Sequence, residues 1–99
     1  MASRITVFWR DIPAQVIVRQ GRTASKRELP RRFIEAIDRA AMKAELTGTD
    51  GYLDQWRRAD PEPCGDDLEA EAEAAASALD TAYPATRLRA LSDNGGFSP

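Results

Sequence analysis

The sequence predicts an α+β domain in which an N-terminal β-hairpin packs on one main helix and three shorter helices follow. Three observations carry this. Residues 5 to 10 alternate with a period of two, apolar residues between 33 and 44 recur at three- and four-residue spacings, and prolines punctuate the remainder. At 99 residues and a net charge of −2 the chain has room for one domain and one core. Seventeen of its apolar residues are Ala, which leaves few side chains that bury substantial area. The expected domain spans residues 1–92, with 93–99 as a flexible C-terminal tail into which Phe97 alone brings an anchor.

Ile5, Val7 and Trp9 alternate with Thr6, Phe8 and Arg10, the pattern of a strand with one fully apolar face. Asp11, Ile12, Pro13 and Ala14 supply turn chemistry, and Val16, Ile17 and Val18 form the second strand. An isolated hairpin is marginal in water, so cover is expected from a helix or from a third short strand, either at Gly21 to Ala24 or from another chain. Residues 25–29 read as a separate turn. Pro30 suits the first turn of a helix to Leu46 whose stripe is Phe33, Ile34, Ile37, Ala40, Ala41 and Ala44, ended by Gly48. Thr49 is placed to cap a second helix carrying Tyr52, Leu53 and Trp56, which Pro61 and Pro63 close. Asp66 with Glu69 resembles a capping box for a third helix lined by Leu68, Ala72, Ala75 and Leu79 and running to Tyr83. Pro84 starts a fourth with Leu88 and Leu91. No stretch is long enough to cross a membrane.

Composition removes much chemistry. With no His, catalytic triads, Cys/His dyads and zinc sites fall away, and a single Cys allows no internal disulfide. No cofactor or metal is expected. The N-terminus lacks an export signal, and 17 Ala with 12 Arg against 2 Lys suggest GC-rich codons, so a cytoplasmic bacterial protein is expected. Charge is divided: residues 1–59 carry +5 and residues 60–99 carry −7. Either the halves pair with each other or one of them meets a charged partner.

Arg22, Lys26, Arg27, Arg31 and Arg32 cluster beside Gly21 and Ser25, a composition suited to neutralising phosphates. Against this, Glu28 precedes Arg32 by four, and Arg31, Glu35 and Arg39 follow at i, i+4, as on a solvated helix face. Cys64, between Pro63 and Gly65 and just before the third helix, is the candidate reactive thiol, since a helix N-terminus favours a thiolate; Asp66 and Asp67 oppose it. The acids from Asp66 to Glu73 spread round a helix axis instead of converging on a cation.

The run Trp9-Arg10-Asp11-Ile12-Pro13-Ala14-Gln15-Val16, then Ala36-Ile37-Asp38-Arg39-Ala40-Ala41-Met42, Tyr52-Leu53 with Trp56, and Pro63-Cys64-Gly65 with Leu68-Glu69, together resemble the small bacterial "virulence factor" domain family. That domain is similar to the C-terminal domain of conserved virulence factor C. The resemblance covers about residues 4 to 92. In longer relatives the domain follows an iron–sulfur scaffold-like region and helical repeats, which implies an accessory role. Stand-alone members imply an association with corrinoid and folate one-carbon methyl transfer. The family supplies no catalytic residues to carry over.

The functional expectation is a non-enzymatic adaptor that docks on a partner protein, a one-carbon or corrinoid methyl-transfer enzyme among the candidates, or on a second copy of itself. The expected docking surface is the hairpin edge at Val16 and Val18, with Arg10, Asp11, Arg22, Arg27 and Arg31. The alternatives are a nucleic-acid-binding module using the basic 22–32 loop, and a redox or methyl-transfer subunit using Cys64.

Overall fold

A computed structural model describes residues 1–99. The chain is α+β, with five antiparallel strands and four helices. Strands β1 (Ala2–Trp9) and β2 (Ile12–Gln20) form the expected hairpin, and β3 (Thr23–Glu28) pairs along the other side of β2. The third strand is therefore longer than expected and replaces the turn at 25–29. Its sequence, TASKRE, has no apolar alternation, so only the pairing with β2 makes it a strand. Gly21, at φ +60, turns the chain between the two.

On the outer side of β1, β4 (Trp56–Arg58) and β5 (Glu62–Cys64) lie end to end, giving the order β3-β2-β1-β4 with β5 also on β1. Trp56 thus belongs to a strand and not to the second helix. That helix, α2, covers only Asp50–Asp54, and Thr49 donates its hydroxyl to the Leu46 carbonyl at 2.6 Å instead of capping. Pro61 and Pro63 interrupt this edge, which suits a position where little pairing is required.

The hairpin carries one extra residue. Val7 pairs with Gln15 and Phe8 with Pro13, so Ala14 is a β-bulge. The bulge divides the interior. Beyond it Trp9, Ile12 and Ala14 pack with Phe33, Ala36, Ile37, Ala40 and Ala41 of α1 (Arg31–Lys43) and with Leu88 and Leu91 of α4 (Ala85–Asp93). Before it Ala2, Val16 and Val18 meet Ala72 of α3 (Leu68–Ala82). Leu79 touches both clusters.

Helix α1 stops sooner than Leu46. Glu45 sits at φ +59 and the Leu46 N–H reaches the Ala41 carbonyl at 2.9 Å, a Schellman-type ending three residues before Gly48. Asp67, one residue after the expected start, caps α3 by accepting from Ala70 N–H at 3.2 Å. No helix is long and apolar enough to cross a membrane.

Part of the divided charge is paired across the halves: Arg4–Glu62 at 3.4 Å, Arg27–Glu73 at 3.2 Å and Arg32–Asp80 at 2.6 Å each join the basic segment to the acidic one.

Candidate functional site

Arg10 and Asp11, expected on a docking surface, are bonded within the chain. Arg10 follows the end of β1 at φ +54, a left-handed conformation uncommon for a residue with a Cβ. Its guanidinium lies over the rings of Trp9 and Phe97, at 5.2 and 4.4 Å from their centroids. It donates to Gln55 Oε1 at 3.0 Å and to the Gly95 carbonyl at 2.8 Å. Asp11 donates its N–H to the Gly96 carbonyl and accepts from Ser98 N–H, both at 2.8 Å, and pairs with Arg57 at 3.5 Å. Of residues 93–99, expected as a flexible tail, Asp93 ends α4, Gly95, Gly96 and Ser98 are bonded back to Arg10 and Asp11, and Phe97 lies under the Arg10 guanidinium. Gly96, at φ +97, is required there because a Cβ would lie 2.9 Å from the Trp9 ring.

Val16 and Val18 do not form a free edge. Both are fully buried in a strand paired on both sides, opposite Thr6 and Arg4 in β1 and opposite Arg27 and Ser25 in β3. The open edge on that side is β3, whose Lys26, Arg27 and Glu28 are the charges that discourage strand addition.

The basic 22–32 segment is a strand followed by the start of a helix, not a loop. Arg27 pairs with Glu73, and Arg31 lies 3.8 Å from Glu35. Arg32 pairs with Asp80, donates to the Asp80 and Tyr83 carbonyls and lies over Phe33. Arg22 and Lys26 make no ion pair.

Cys64 is half-buried in β5, paired with Ala2, and packs beside the α3 cluster. The N-cap of α3 is Asp67, three residues beyond Cys64. Burial, with the Glu71 and Asp66 carboxylates, pushes its pKa up against the opposing pull of Arg4. The neighbouring acids are also engaged: Glu71 accepts from Gly65 N–H and Asp66 from Gln20.

The surface left without internal partners lies on α1 and α2. Ile34, expected in the core stripe, is 45% exposed; Met42 is 62% and Leu53 64% exposed. Ile34 and Trp56 share a groove of about 210 Å³, and Met42, Asp38 and Tyr52 share another of about 510 Å³ floored by Ala41. The rings of Tyr52, on the larger hollow, and Trp56, on the smaller, meet edge to face at 6.2 Å. Partial burial, and next the Asp38 carboxylate, hold the Tyr52 hydroxyl above its ordinary pKa, partly offset by the Trp56 indole beside it. The sequence held a signal for this face: Ile34, Asp38 and Met42 stand at i, i+4, i+8, a second stripe beside the one that packs.

A family profile described as "Virulence factor" matches residues 7–91, most of the chain. The chain belongs to this family. No curated protein and no solved structure matches it. In this virulence factor domain the run that carried the resemblance, Trp9 to Val16, is accounted for by folding. Trp9 is fully buried and donates Nε1–H to the Tyr52 carbonyl at 2.9 Å, Arg10 and Asp11 hold the C-terminal residues, and Pro13 and Ala14 make the bulge.

Proposed function

We propose that this virulence factor domain is a non-enzymatic accessory module that docks on a partner protein through the face shared by α1 and α2. The observation that carries the reading is that Ile34 and Met42, both large, apolar and about half or more exposed, line two hollows whose other walls include Trp56 and Tyr52, two rings that meet, with the exposed Leu53 next to Tyr52 in α2. Scattered exposed apolar residues are ordinary, but exposed apolar side chains at the mouths of hollows are the form a binding surface takes. The reading departs from a docking site at Arg10, Asp11 and the hairpin edge, because those groups are already bonded within the chain. Nucleic-acid binding by residues 22–32 is disfavoured on the same ground, since Arg27 and Arg32 are committed to Glu73 and Asp80.

The test compares wild type with Met42→Lys/Leu53→Lys. Both side chains are exposed, so melting temperature and circular dichroism are expected to stay close to wild type, within about 0.5 kcal/mol per site. Affinity capture from the native lysate should then recover a protein that wild type retains and the double variant loses. Methyl-transfer enzymes implied by the family resemblance are the first identities to check. Equal recovery by both forms overturns the reading.

A further inference from the structure

We infer that the occupant of the α1–α2 face is a basic amphipathic helix of the partner, with two apolar side chains seated in the two hollows and a Lys or Arg between them facing Asp38. This rests on the docking reading above and adds the secondary structure and the charge of what docks.

Secondary structure follows from the backbone of the site. The larger hollow is walled by Asp38, Ala41 and Met42 of α1 and Tyr52 of α2, whose backbone groups are largely bonded within their own helices, and only the Thr47–Gly48 turn adds backbone outside a helix. In the smaller one Leu29 N–H already donates to the Ala14 carbonyl at 3.0 Å. An extended peptide laid there would lose water from its N–H and C=O groups and find few partners. A helix arrives with its backbone satisfied and offers side chains only. The spacing fits. Ile34 at one hollow and Met42 at the other are eight residues apart on α1, about 12 Å along its axis, which anchors at i and i+7 or i+8 of an aligned helix would match.

Charge follows from the rim. Asp38 lines the larger hollow and Glu28 the smaller, while Asp50 and Asp54 bracket Tyr52 and Leu53 on α2. None of these four carboxylates takes part in any of the chain's ion pairs. The cations on the same part of α1, Arg39 and Lys43, each follow Asp38 and Met42 by one residue and so lie about 100° further round the helix, off the Ile34–Asp38–Met42 line. An apolar strip edged by unpaired carboxylates repels an acidic helix and attracts a basic one.

The experiment uses the full chain and two synthetic helical peptides of about 16 residues, each with Leu at i and i+7. One carries Arg at i+4 and Lys along both flanks; the other carries Glu at the same positions. Affinity is read by fluorescence anisotropy at roughly 50 mM salt, and the site by methyl resonances of Ile34, Met42 and Leu53. The basic peptide should bind at least about tenfold tighter than the acidic one and shift those methyls, and Asp38→Lys should remove most of that preference. If both peptides shift the methyls with equal affinity, the docking reading stands and the basic occupant is overturned. If neither peptide shifts them, the face is not a helix-binding groove and this inference falls, whereas the docking reading is decided by the Met42→Lys/Leu53→Lys capture.

Discussion

The two clusters that meet at the Ala14 bulge are assembled from different materials. On the α1 and α4 side, Trp9, Phe33, Ile12 and Ile37 are fully buried, and Ser92, also buried, places its hydroxyl 3.0 Å from the Ala36 carbonyl and 2.9 Å from that of Leu88. On the α3 side the buried set is Ala2, Val16, Val18 and Ala72, with ion pairs at the margin. Large side chains supply most of the buried area in the first cluster. Small ones allow close approach of helix to sheet in the second, where little area is buried per residue but any added volume has nowhere to go. The first is sensitive to deletion and the second to insertion.

The largest expected effect is therefore at Trp9. Trp9→Ala removes the centre of the larger cluster and the hydrogen bond to Tyr52, and should cost about 3–5 kcal/mol in urea or thermal unfolding. Such a loss would unfold much of a domain whose total stability is expected near the low end of about 5–15 kcal/mol. A loss below about 1 kcal/mol would place the main core elsewhere.

Ala72→Leu tests the second cluster in the opposite direction. Overpacking at a fully buried Ala should destabilise by about 1–3 kcal/mol, whereas a neutral result would show slack between α3 and the sheet. Glu73→Gln, which breaks the pair with Arg27 at the margin of the same helix, should cost no more than about 1 kcal/mol, because both partners are substantially exposed. Adding salt to about 1 M should abolish the difference between variant and wild type.

The smallest effect is expected at Cys64. Its raised pKa keeps the thiol protonated at neutral pH, so native protein should alkylate more slowly than unfolded protein under the same conditions. As pH rises past the ordinary thiol range, the unfolded chain loses this proton before the native one, so the thiol's contribution to stability declines there and is absent in Cys64→Ser. Fast labelling of the native protein at neutral pH would assign the thiol a chemical role.

Several elements were legible in local sequence because local physics decides them. The hairpin strands follow from period-two alternation around Pro13, α1 from its apolar stripe after Pro30, and α3 from an acid-rich start and the Leu68–Leu79 line. Burial of Trp9 against Phe33 and Ile37 follows from the same patterns. The family was also legible, from Trp9 to Val16 above all.

What tertiary structure decided lies wherever local preference is weak or a group's partner is distant in sequence. Strand β3 has no apolar alternation and exists because β2 offers an unpaired ladder; β4 and β5 exist because β1 does. Val16 and Val18 looked like an edge because a sequence counts strands without ordering them, and only the order β3-β2-β1 makes β2 central. Arg10 and Asp11 looked free because their partners, Gln55 and residues 95–98, are more than forty positions away. Ile34 looked buried because a helical stripe has two margins, and which one meets the core depends on where the sheet and α4 lie against α1. Periodicity is a property of the chain, whereas pairing and exposure are properties of what the chain is packed against.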